Sequence, residues 1–402
     1  MNNTFKKFND YGKELGWKRI QSESQRKKFY NKLSNDHPSM SEKVFDLIDS
    51  RGSQHEDIDI ETSITNDSVY EEKNKDLDFS LRLTNYLIHE KLYNIFTNFD
   101  FLKIDPPPKR ILDLGSDNGI VTIFLAKLFP DAKITGVEET VNGVLISKKL
   151  AERLGCNNCD FIQGNFFKLD SLGKFDLITS FTFMMEAIEA EYGIYMNELY
   201  DDENFISVKN EVKSDLNKFS KLLADKLQDG GLILSFERLS GMFAVCKFLD
   251  GFEDGSFVCD VDNSLFIDYN DVEGKGSMPF LIFQKGSGKN LISQMQKLYG
   301  KPEPIQKQDF FKDPFYSFCF FNSIDKKKNL LTVSCEYYNG SGTLFLKFYE
   351  SEMFFMPIQF SNTGFFKLSI MPHLSKNDLE EEIKNINENL VEHCDINVNW
   401  HI

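Results

Sequence analysis

Residues 110–119 of this chain read RILDLGSDNG, and this stretch decides the fold class. Its first five residues form a short apolar run that predicts a buried strand, and residues 120–128 have the apolar spacing of a helix. Gly115 and Gly119 stand in the turn between them, where a residue without a side chain lets the backbone approach a ligand closely. The sequence therefore predicts a strand, a ligand-binding turn and a helix.

The same alternation of short apolar runs and helical spacing continues toward the C-terminus. Strands are predicted at 111–114, 134–137, 161–162, 175–180 and 231–236, with helices at 120–128, 144–154 and 208–227. Such alternation is typical of a parallel sheet with helices on both faces. The next apolar runs, 265–267 and 280–283, have no clear crossover helix between them and predict an antiparallel hairpin at one edge of the sheet.

Polar residues stand where several of these strands end. Glu138 ends the second strand, 19 residues beyond Gly119, and a carboxylate there can accept both ribose hydroxyls of an adenosine ligand. We expect it at a solvent-facing strand end. After the third strand, Asn165 offers an amide to an adenine edge and Phe166 a ring to its face. Because these strand ends meet at one edge of the sheet, the sequence predicts a single crevice.

In these features the chain resembles the class I S-adenosylmethionine-dependent methyltransferases, whose first motif is an acidic residue followed by alternate glycines. Asp113, Gly115 and Gly119 match that motif, whereas Asp117 stands where the family often has glycine. Further landmarks follow in the family's order: the acidic strand end at 138, a Gly-Asp-like position at 164–165, the FDLI strand at 175–178 and the glycine pair at 230–231. The resemblance covers about half the chain. It implies a doubly wound, mostly parallel seven-stranded α/β sheet with an antiparallel last strand.

The resemblance also implies S-adenosyl-L-methionine as the cofactor and assigns a role to each matching position. Asp113 would organise the methionine end, Glu138 would hold the ribose, and Ser180 with Phe181 would lie beneath the sulfonium. The cofactor-binding residues that we predict are Asp113, Gly115, Ser116, Asp117, Gly119, Glu138, Asn165, Phe166, Ser180 and Phe181. Asn165 departs from the family, which commonly has aspartate at this position.

A dinucleotide-binding dehydrogenase is the main competing interpretation, since its ligand-binding turn also lies between a first strand and a helix. That class needs glycine where this chain has Asp117 and Ile120. A carboxylate at Asp117 would repel a pyrophosphate but attract the sulfonium and ammonium groups of S-adenosylmethionine. The sequence favours the methyltransferase interpretation.

Methyl transfer from a sulfonium is an in-line displacement, so the protein mainly aligns the donor with the nucleophile and excludes water. No histidine lies between Lys109 and Gly288. The catalytic candidates are carboxylates after the fourth and fifth strands: Glu186, Glu189 and Glu237. Glu186 and Glu189 would share a helix face and could orient an amine, and a solvated helix face is the alternative explanation.

Residues 181–185 contain no Asn-Pro-Pro-Tyr or Asp-Pro-Pro-Tyr sequence, with which amino-methylating DNA and glutamine enzymes hold a planar amide or base. The formal net charge of −16 argues against nucleic acid as a partner. The expected acceptor is therefore a small molecule or a protein or peptide side chain. A cofactor-binding scaffold or sensor without activity is the second hypothesis, and a peptide-modifying enzyme that grips its partner by sheet addition is a third.

Four regions are predicted along the chain: an N-terminal helical region (1–50), an acidic linker or flap (51–78), the cofactor-binding core (79–287) and a C-terminal α+β domain (288–402). The last has aromatic-rich strands near 315–321, 330–338, 344–349, 353–360 and 365–370, and we expect a helix at 376–391 to end the chain. The N-terminal region would cap the crevice, and the C-terminal domain would select substrate or self-associate. Seven scattered cysteines and no long apolar run predict a cytoplasmic, multidomain protein without a bound metal or membrane span.

Overall fold

A computed structural model of the chain divides into two compact units. The first comprises 1–188, 218–238 and 255–288, and the second comprises 189–217, 239–254 and 289–402. The residues that the structure describes are 2–53, 66–169, 172–193, 210–239, 245, 248–249, 251–252, 257–272, 274–286, 327–337, 343–351, 355–361, 366–368, 380–381, 384 and 394–401. No helix among them is long and apolar enough to cross a membrane.

The chain enters the first unit through helices rich in buried aromatic residues. They are α1 (Asn3–Glu14), α2 (Glu23–Asp36), α3 (Pro38–Ser53), α4 (Asn66–Lys73) and α5 (Leu77–Asn98). The side chains of Asn2, Ser22 and Asp76 cap α1, α2 and α5 by accepting a backbone N–H three residues further on. Phe8 of α1 packs its ring 4.6 Å from that of Phe96 on α5, so these two helices share one core.

An eight-stranded sheet forms the centre of the first unit. Its strands are β1 (Arg110–Leu114), β2 (Lys133–Glu138), β3 (Cys159–Gln163), β4 (Phe175–Phe181), β5 (Leu227–Phe236), β6 (Phe257–Cys259), β7 (Leu265–Asp271) and β8 (Gly274–Lys285). The helices that follow β1, β2 and β4 are α6 (Ile120–Leu128), α7 (Val141–Arg153), and α8 (Met184–Tyr192) with α9 (Asn210–Lys226). The strand order is β3-β2-β1-β4-β5-β8-β6, with β7 also paired to β8.

The first five strands run parallel, and β8 lies antiparallel beside β5. This order, with its reversed strand, confirms the predicted class I methyltransferase fold. The prediction of seven strands is wrong by one, because the strand on the far side of β8 is interrupted. β6 pairs with residues 283–285 of β8 and β7 with residues 274–280, so the two follow each other along one edge. The Ser264 hydroxyl fills part of the interruption by accepting the N–H of Ile282 at 2.9 Å.

A five-stranded antiparallel sheet belongs to the second unit. Its strands are β9 (Lys328–Tyr337), β10 (Thr343–Glu350), β11 (Phe355–Ser361), β12 (Phe366–Leu368) and β13 (Cys394–Trp400), in the order β12-β11-β10-β9-β13. Leu331, Val333 and Phe348 form its buried core. β9 and β10, which pair antiparallel, correspond to the strands that the sequence predicts near 330–338 and 344–349.

The expectation that a helix ends the chain is wrong, because β13 comes after the predicted helix and pairs with β9. Its apolar residues Ile396, Val398 and Trp400 alternate with polar ones, which is the pattern of a strand. The strand predicted at 315–321 lies outside the described residues, as does most of the helix predicted at 376–391, of which the structure describes 380–381 and 384.

Candidate functional site

The turn between β1 and α6 has an unusual backbone. Gly115, Asp117 and Gly119 have φ angles of 65°, 49° and 76°, all in the left-handed region. Glycine adopts this region freely, and aspartate tolerates it better than most residues do. A Cβ atom on Gly119 would lie 2.8 Å from the side chain of Ser147, so glycine there allows α6 and α7 to approach. Ser116 points into the protein and is 5 % exposed.

Asp113 lies beneath this turn at the carboxyl end of β1 and is buried. Its carboxylate accepts the hydroxyl of Thr122 at 2.5 Å and that of Thr179 at 2.7 Å. Burial raises the pKa of Asp113 to about 6, although both hydroxyls oppose that rise. The two threonines therefore fix the carboxylate between β1, β4 and α6.

Glu138 ends the neighbouring strand, β2. Its carboxylate accepts the backbone N–H of Asp117 at 2.9 Å, the N–H of Thr140 at 2.9 Å and the Thr140 hydroxyl at 2.6 Å. Only 8 % of Glu138 is exposed, so the expectation of a solvent-facing position is wrong. Burial and then the nearby charge of Asp117 raise the pKa of Glu138 to about 7. Glu138 thus links the end of β2 to the turn after β1.

The carboxylate of Asp117 is held by residues that precede α5. Lys73 Nζ lies 2.5 Å from one of its oxygens, and Asn74 Nδ2 donates to the other at 2.7 Å. Asn74 Oδ1 in turn accepts the Ser80 hydroxyl at 2.6 Å, and Asn118 Nδ2 donates to that same hydroxyl oxygen at 2.9 Å. This network was not predicted, since the sequence of 51–78 indicates a linker or flap.

The structure shows mainly structural contacts for the two predicted adenine-reading residues. Asn165 Oδ1 accepts the N–H of Phe167 at 2.9 Å, and Asn165 Nδ2 donates to Glu139 at 3.4 Å. The Phe166 ring is 2 % exposed and lies 6.4 Å from the ring of Phe219 on α9. Phe166 is thus part of the packing between β3 and α9.

The residues at the end of β4 and just after it contact three different parts of the first unit. The buried Ser180 hydroxyl donates to Glu237 at 2.8 Å, and the Phe181 ring lies 6.3 Å from that of Phe96. Phe183 lies against the turn after β1, so that a Cβ atom on Gly115 would be 2.7 Å from Phe183 Cγ. The structure therefore brings the Phe183 ring to the glycine turn, a contact that the sequence did not predict.

Of the three predicted catalytic carboxylates, Glu237 is the most deeply buried, at 1 % exposed. It accepts the N–H groups of Met184 and Met185 at 3.2 and 3.4 Å, at the N-terminus of α8, besides the Ser180 hydroxyl. Burial raises the pKa of Glu237 to about 7. Such contacts fix the start of α8, where a carboxylate also interacts well with the helix dipole.

Glu186 lies in the first turn of α8 and is half-buried. It accepts Arg238 Nη1 at 3.3 Å and the hydroxyl of Tyr70, on α4, at 3.5 Å. Glu189 follows one turn later on α8 and belongs to the second compact unit. The structure thus brings Glu186 and Glu237 to the carboxyl ends of β4 and β5.

The residues around the glycine turn suit the chemistry of S-adenosylmethionine. Asp117 and Glu138 supply acidic groups for an ammonium group and a ribose diol, and Gly115 supplies backbone without a side chain. In the same arrangement Lys73 and Asn74 occupy both oxygens of Asp117, and Phe183 fills the space above Gly115. The carboxylates and the glycine backbone therefore fit the cofactor. In this structure the side chains of Lys73, Asn74 and Phe183 occupy the space next to these groups.

Comparison with known proteins agrees with this description. Residues 107–239 match a family model described as a methyltransferase domain. The chain is 31 % identical over 133 residues to the release factor glutamine methyltransferase of Fusobacterium nucleatum, covering 32 % of this chain and 36 % of that protein. It is 38 % identical over 78 residues to the tRNA1(Val) (adenine(37)-N6)-methyltransferase of Glaesserella parasuis, covering 19 % and 33 %. The chain thus spans about a third of the length of these curated relatives.

Among solved structures, a precorrin-6y methyltransferase from Geobacter metallireducens superimposes with a TM-score of 0.31 and 14 % identity, over 44 % of this chain and 80 % of that one. The strand order and the glycine turn define the class of this region, and the family match agrees. Residues 107–239 are a methyltransferase domain of the class I, S-adenosylmethionine-dependent type.

Proposed function

We propose that this chain binds S-adenosyl-L-methionine at the carboxyl ends of β1, β2 and β4 and catalyses methyl transfer. One observation carries the proposal. Asp113 and Glu138 lie at the carboxyl ends of the adjacent parallel strands β1 and β2. Glu138 accepts the N–H of Asp117 within the left-handed turn that follows β1. Ligands of α/β sheets bind outside the carboxyl ends of the strands, where such a turn lets backbone approach them.

In this proposal Glu138 holds the ribose, and Asp117 attracts the cationic methionine end, which the resemblance assigns to Asp113. The carboxylate of Asp113 is buried and accepts the hydroxyls of Thr122 and Thr179, so its role here is to position the turn. The bound cofactor supplies a methyl group activated by a positively charged sulfur. The chain itself aligns the acceptor with that methyl group and keeps water away. Glu237 then acts as a positioning residue, because its carboxylate accepts two N–H groups of α8. Glu186, beside Arg238, is the better candidate for contact with the acceptor.

For the acceptor, we propose a protein or peptide side chain or a small molecule. One relative modifies a release factor glutamine and the other a tRNA adenine, as their names state. Residues 181–185 read FTFMM and contain no Pro-Pro-Tyr segment with which a planar amide or base could be held. The net charge of −16 disfavours a polyanionic acceptor. An acceptor other than glutamine or adenine is therefore the proposal.

Calorimetric titration with S-adenosylmethionine and, separately, with a nicotinamide dinucleotide tests the cofactor. We expect the wild type to bind the first and not the second, and Glu138→Gln to weaken binding about tenfold or more, because the amide cannot accept two ribose hydroxyls as a carboxylate does. Glu152→Gln, an exposed position on α7, is the matched control and should bind like the wild type. Equal affinity of Glu138→Gln and wild type would remove Glu138 from the ribose site.

A cofactor-binding scaffold or sensor without methyl-transfer activity is the second proposal. The contact of Phe183 with Gly115 favours it, since that ring stands beside the predicted position of the sulfonium. Radiolabelled S-adenosylmethionine incubated with peptide, protein and small-molecule fractions separates the two. Transfer of label supports the enzyme, whereas tight binding without transfer to any fraction supports the scaffold.

A further inference from the structure

Helix α4 lies over the turn that we assign to the cofactor, and its residues Glu71 and Lys73 contact α7 and the turn. Glu71 accepts the N–H groups of Val141 and Asn142 at 2.7 and 3.1 Å, which caps the start of α7. At the end of α4, the Lys73 ammonium lies 2.5 Å from Asp117. The helix therefore bridges the two elements that would flank the adenosine and the methionine.

The contact of Lys73 with Asp117 is an unusual ion pair because the cation is almost fully buried. The Lys73 side chain is 6 % exposed and that of Asp117 is 21 % exposed. Lysine is seldom buried without a partner, since transfer of an ammonium group out of water is costly. The carboxylate of Asp117, together with the Tyr70 ring whose centroid is 4.9 Å from Lys73 Nζ, thus holds Lys73 in this position.

This arrangement uses one carboxylate for two cations. Asp117 is the acidic group that would attract the α-ammonium group of the cofactor, and in this structure Lys73 already holds it. We propose that Lys73 is a built-in competitor for the ammonium group of the cofactor, so that α4 must leave the turn when the cofactor binds. The inference rests on the proposed function, because it assumes that the cofactor binds at this turn. It identifies Lys73 as a residue that sets cofactor affinity.

The first test is calorimetric titration of the full chain with S-adenosylhomocysteine and with methylthioadenosine, which has the same adenosine but no ammonium group. Lys73→Met should bind S-adenosylhomocysteine about tenfold more tightly than the wild type and methylthioadenosine less than about twofold more tightly. Lys73→Arg keeps the competing cation and should bind both ligands like the wild type. Lys75→Met is the matched control, because Lys75 is half-exposed and pairs with Glu72 instead.

A second variant loosens α4 without touching Asp117, which keeps the test decisive if Lys73→Met does not fold. Glu71→Gln weakens the contact of α4 with α7, and it should tighten S-adenosylhomocysteine about two- to fivefold but methylthioadenosine less than about twofold, because only the ligand with an ammonium group has to displace Lys73 from Asp117. Hydrogen exchange adds a readout that needs no activity. The amides of residues 70–74 should exchange faster when S-adenosylhomocysteine is bound.

The outcomes separate this inference from the proposed function. Wild type that binds S-adenosylhomocysteine, with Lys73→Met equal to it or weaker, overturns the competition and leaves the cofactor site intact. If Lys73→Met increases the affinity for both ligands by the same factor, the competition is also overturned. Lys73 would then act by steric exclusion of the adenosine and not by competition with the ammonium group. If neither wild type nor any variant binds, the cofactor assignment fails and the inference fails with it.

Discussion

At the turn between β1 and α6, any residue other than glycine at position 115 meets two costs. The backbone has a φ of 65°, and a Cβ atom would collide with the ring of Phe183. Gly155 provides a matched control, because its φ is 64° but a Cβ atom there would meet nothing within 4 Å. We expect Gly155→Ala to lower the free energy of unfolding by about 1–2 kcal/mol, the cost of the left-handed region alone.

Gly115→Ala should lower the free energy of unfolding by about 2–5 kcal/mol, since overpacking adds about 1–3 kcal/mol to the backbone cost. The double variant Gly115→Ala/Phe183→Gly should recover the overpacking cost relative to Phe183→Gly alone, because even the Cβ atom of Phe183 would lie 2.8 Å from the added Cβ atom. Urea unfolding of the wild type and of these four variants, including Gly155→Ala, measures this. If Gly115→Ala costs no more than Gly155→Ala, Phe183 does not rest on the turn as described.

The buried imidazole of His89 gives a pH dependence whose sign can be derived. His89 lies among aromatic rings, with that of Trp17 at 5.0 Å, and burial lowers its pKa from 6.5 to about 4. Between those two pH values the unfolded chain binds a proton that the folded chain does not, so this residue makes the protein less stable as pH falls.

We expect His89 to destabilise the fold by about 2 kcal/mol between pH 7 and pH 5, at 1.36 kcal/mol per pKa unit. The measurement is the free energy of urea unfolding at both pH values for wild type and for His89→Phe, which does not titrate. The difference between the two proteins isolates His89 from other groups, such as Glu138 and Glu237, whose raised pKa values act with the opposite sign. If the difference in free energy of unfolding between the two proteins is the same at both pH values, His89 is not a buried neutral imidazole with a lowered pKa.

The residues of the site show what sequence could and could not predict. Asp113 and Glu138 follow from strand ends, because in a parallel sheet every carboxyl end meets the same edge. Lys73 and Asn74 do not, since nothing local to 66–74 indicates that this segment returns to the turn 41 residues or more further along the chain. Phe166 also shows the difference: its type suits stacking on adenine, but tertiary packing against α9 decides its surroundings.

Among the elements, α5 is joined to β7 by a buried ion pair. Lys91 Nζ lies 3.0 Å from Asp271, and the two side chains are 3 % and 4 % exposed. Lys91→Met leaves the Asp271 carboxylate buried without its cation and should lower the free energy of unfolding by about 3–5 kcal/mol.

The double variant Lys91→Met/Asp271→Leu removes both charges and should recover most of that loss. Lys13→Met is the control for an exposed pair, with Asp10, and should cost less than about 1 kcal/mol. Denaturant unfolding of the four proteins provides the comparison. A double variant that is as unstable as Lys91→Met would show that the charges themselves are needed between α5 and β7.

The elements themselves were largely predictable where the hydrophobic period is strong. Helix α6 was predicted with both of its ends, because Gly119 and Phe129 flank a nearly all-apolar segment. The interruption between β6 and β7 was not predictable, since Phe257–Cys259 is only three residues long. β13 was not predicted, because the sequence prediction places no element after the helix at 376–391, although the apolar residues of β13 alternate with polar ones.

On the scale of the whole molecule, the chain contains two units with separate cores. The first is built on the mostly parallel sheet, and the second on the antiparallel sheet of β9 to β13. The second unit combines segments 189–217, 239–254 and 289–402, which are separated in sequence. Domains predicted as consecutive stretches of sequence cannot group these segments. Hydrophobic patterns indicate which helices and strands form, but not which of them pack together.

Two separate cores predict that heat unfolds the chain in two transitions, and that the cofactor stabilises only the transition of the first unit. A ligand that binds only the folded state adds RT ln(1 + [L]/Kd), about 2.7 kcal/mol at 100 times Kd. Differential scanning calorimetry with and without S-adenosylhomocysteine measures this, with Glu138→Gln as the control whose transitions should shift less at the same ligand concentration. One transition that shifts as a whole would mean that the two units unfold cooperatively. A shift of the second unit alone would move the cofactor site away from the turn at Gly115.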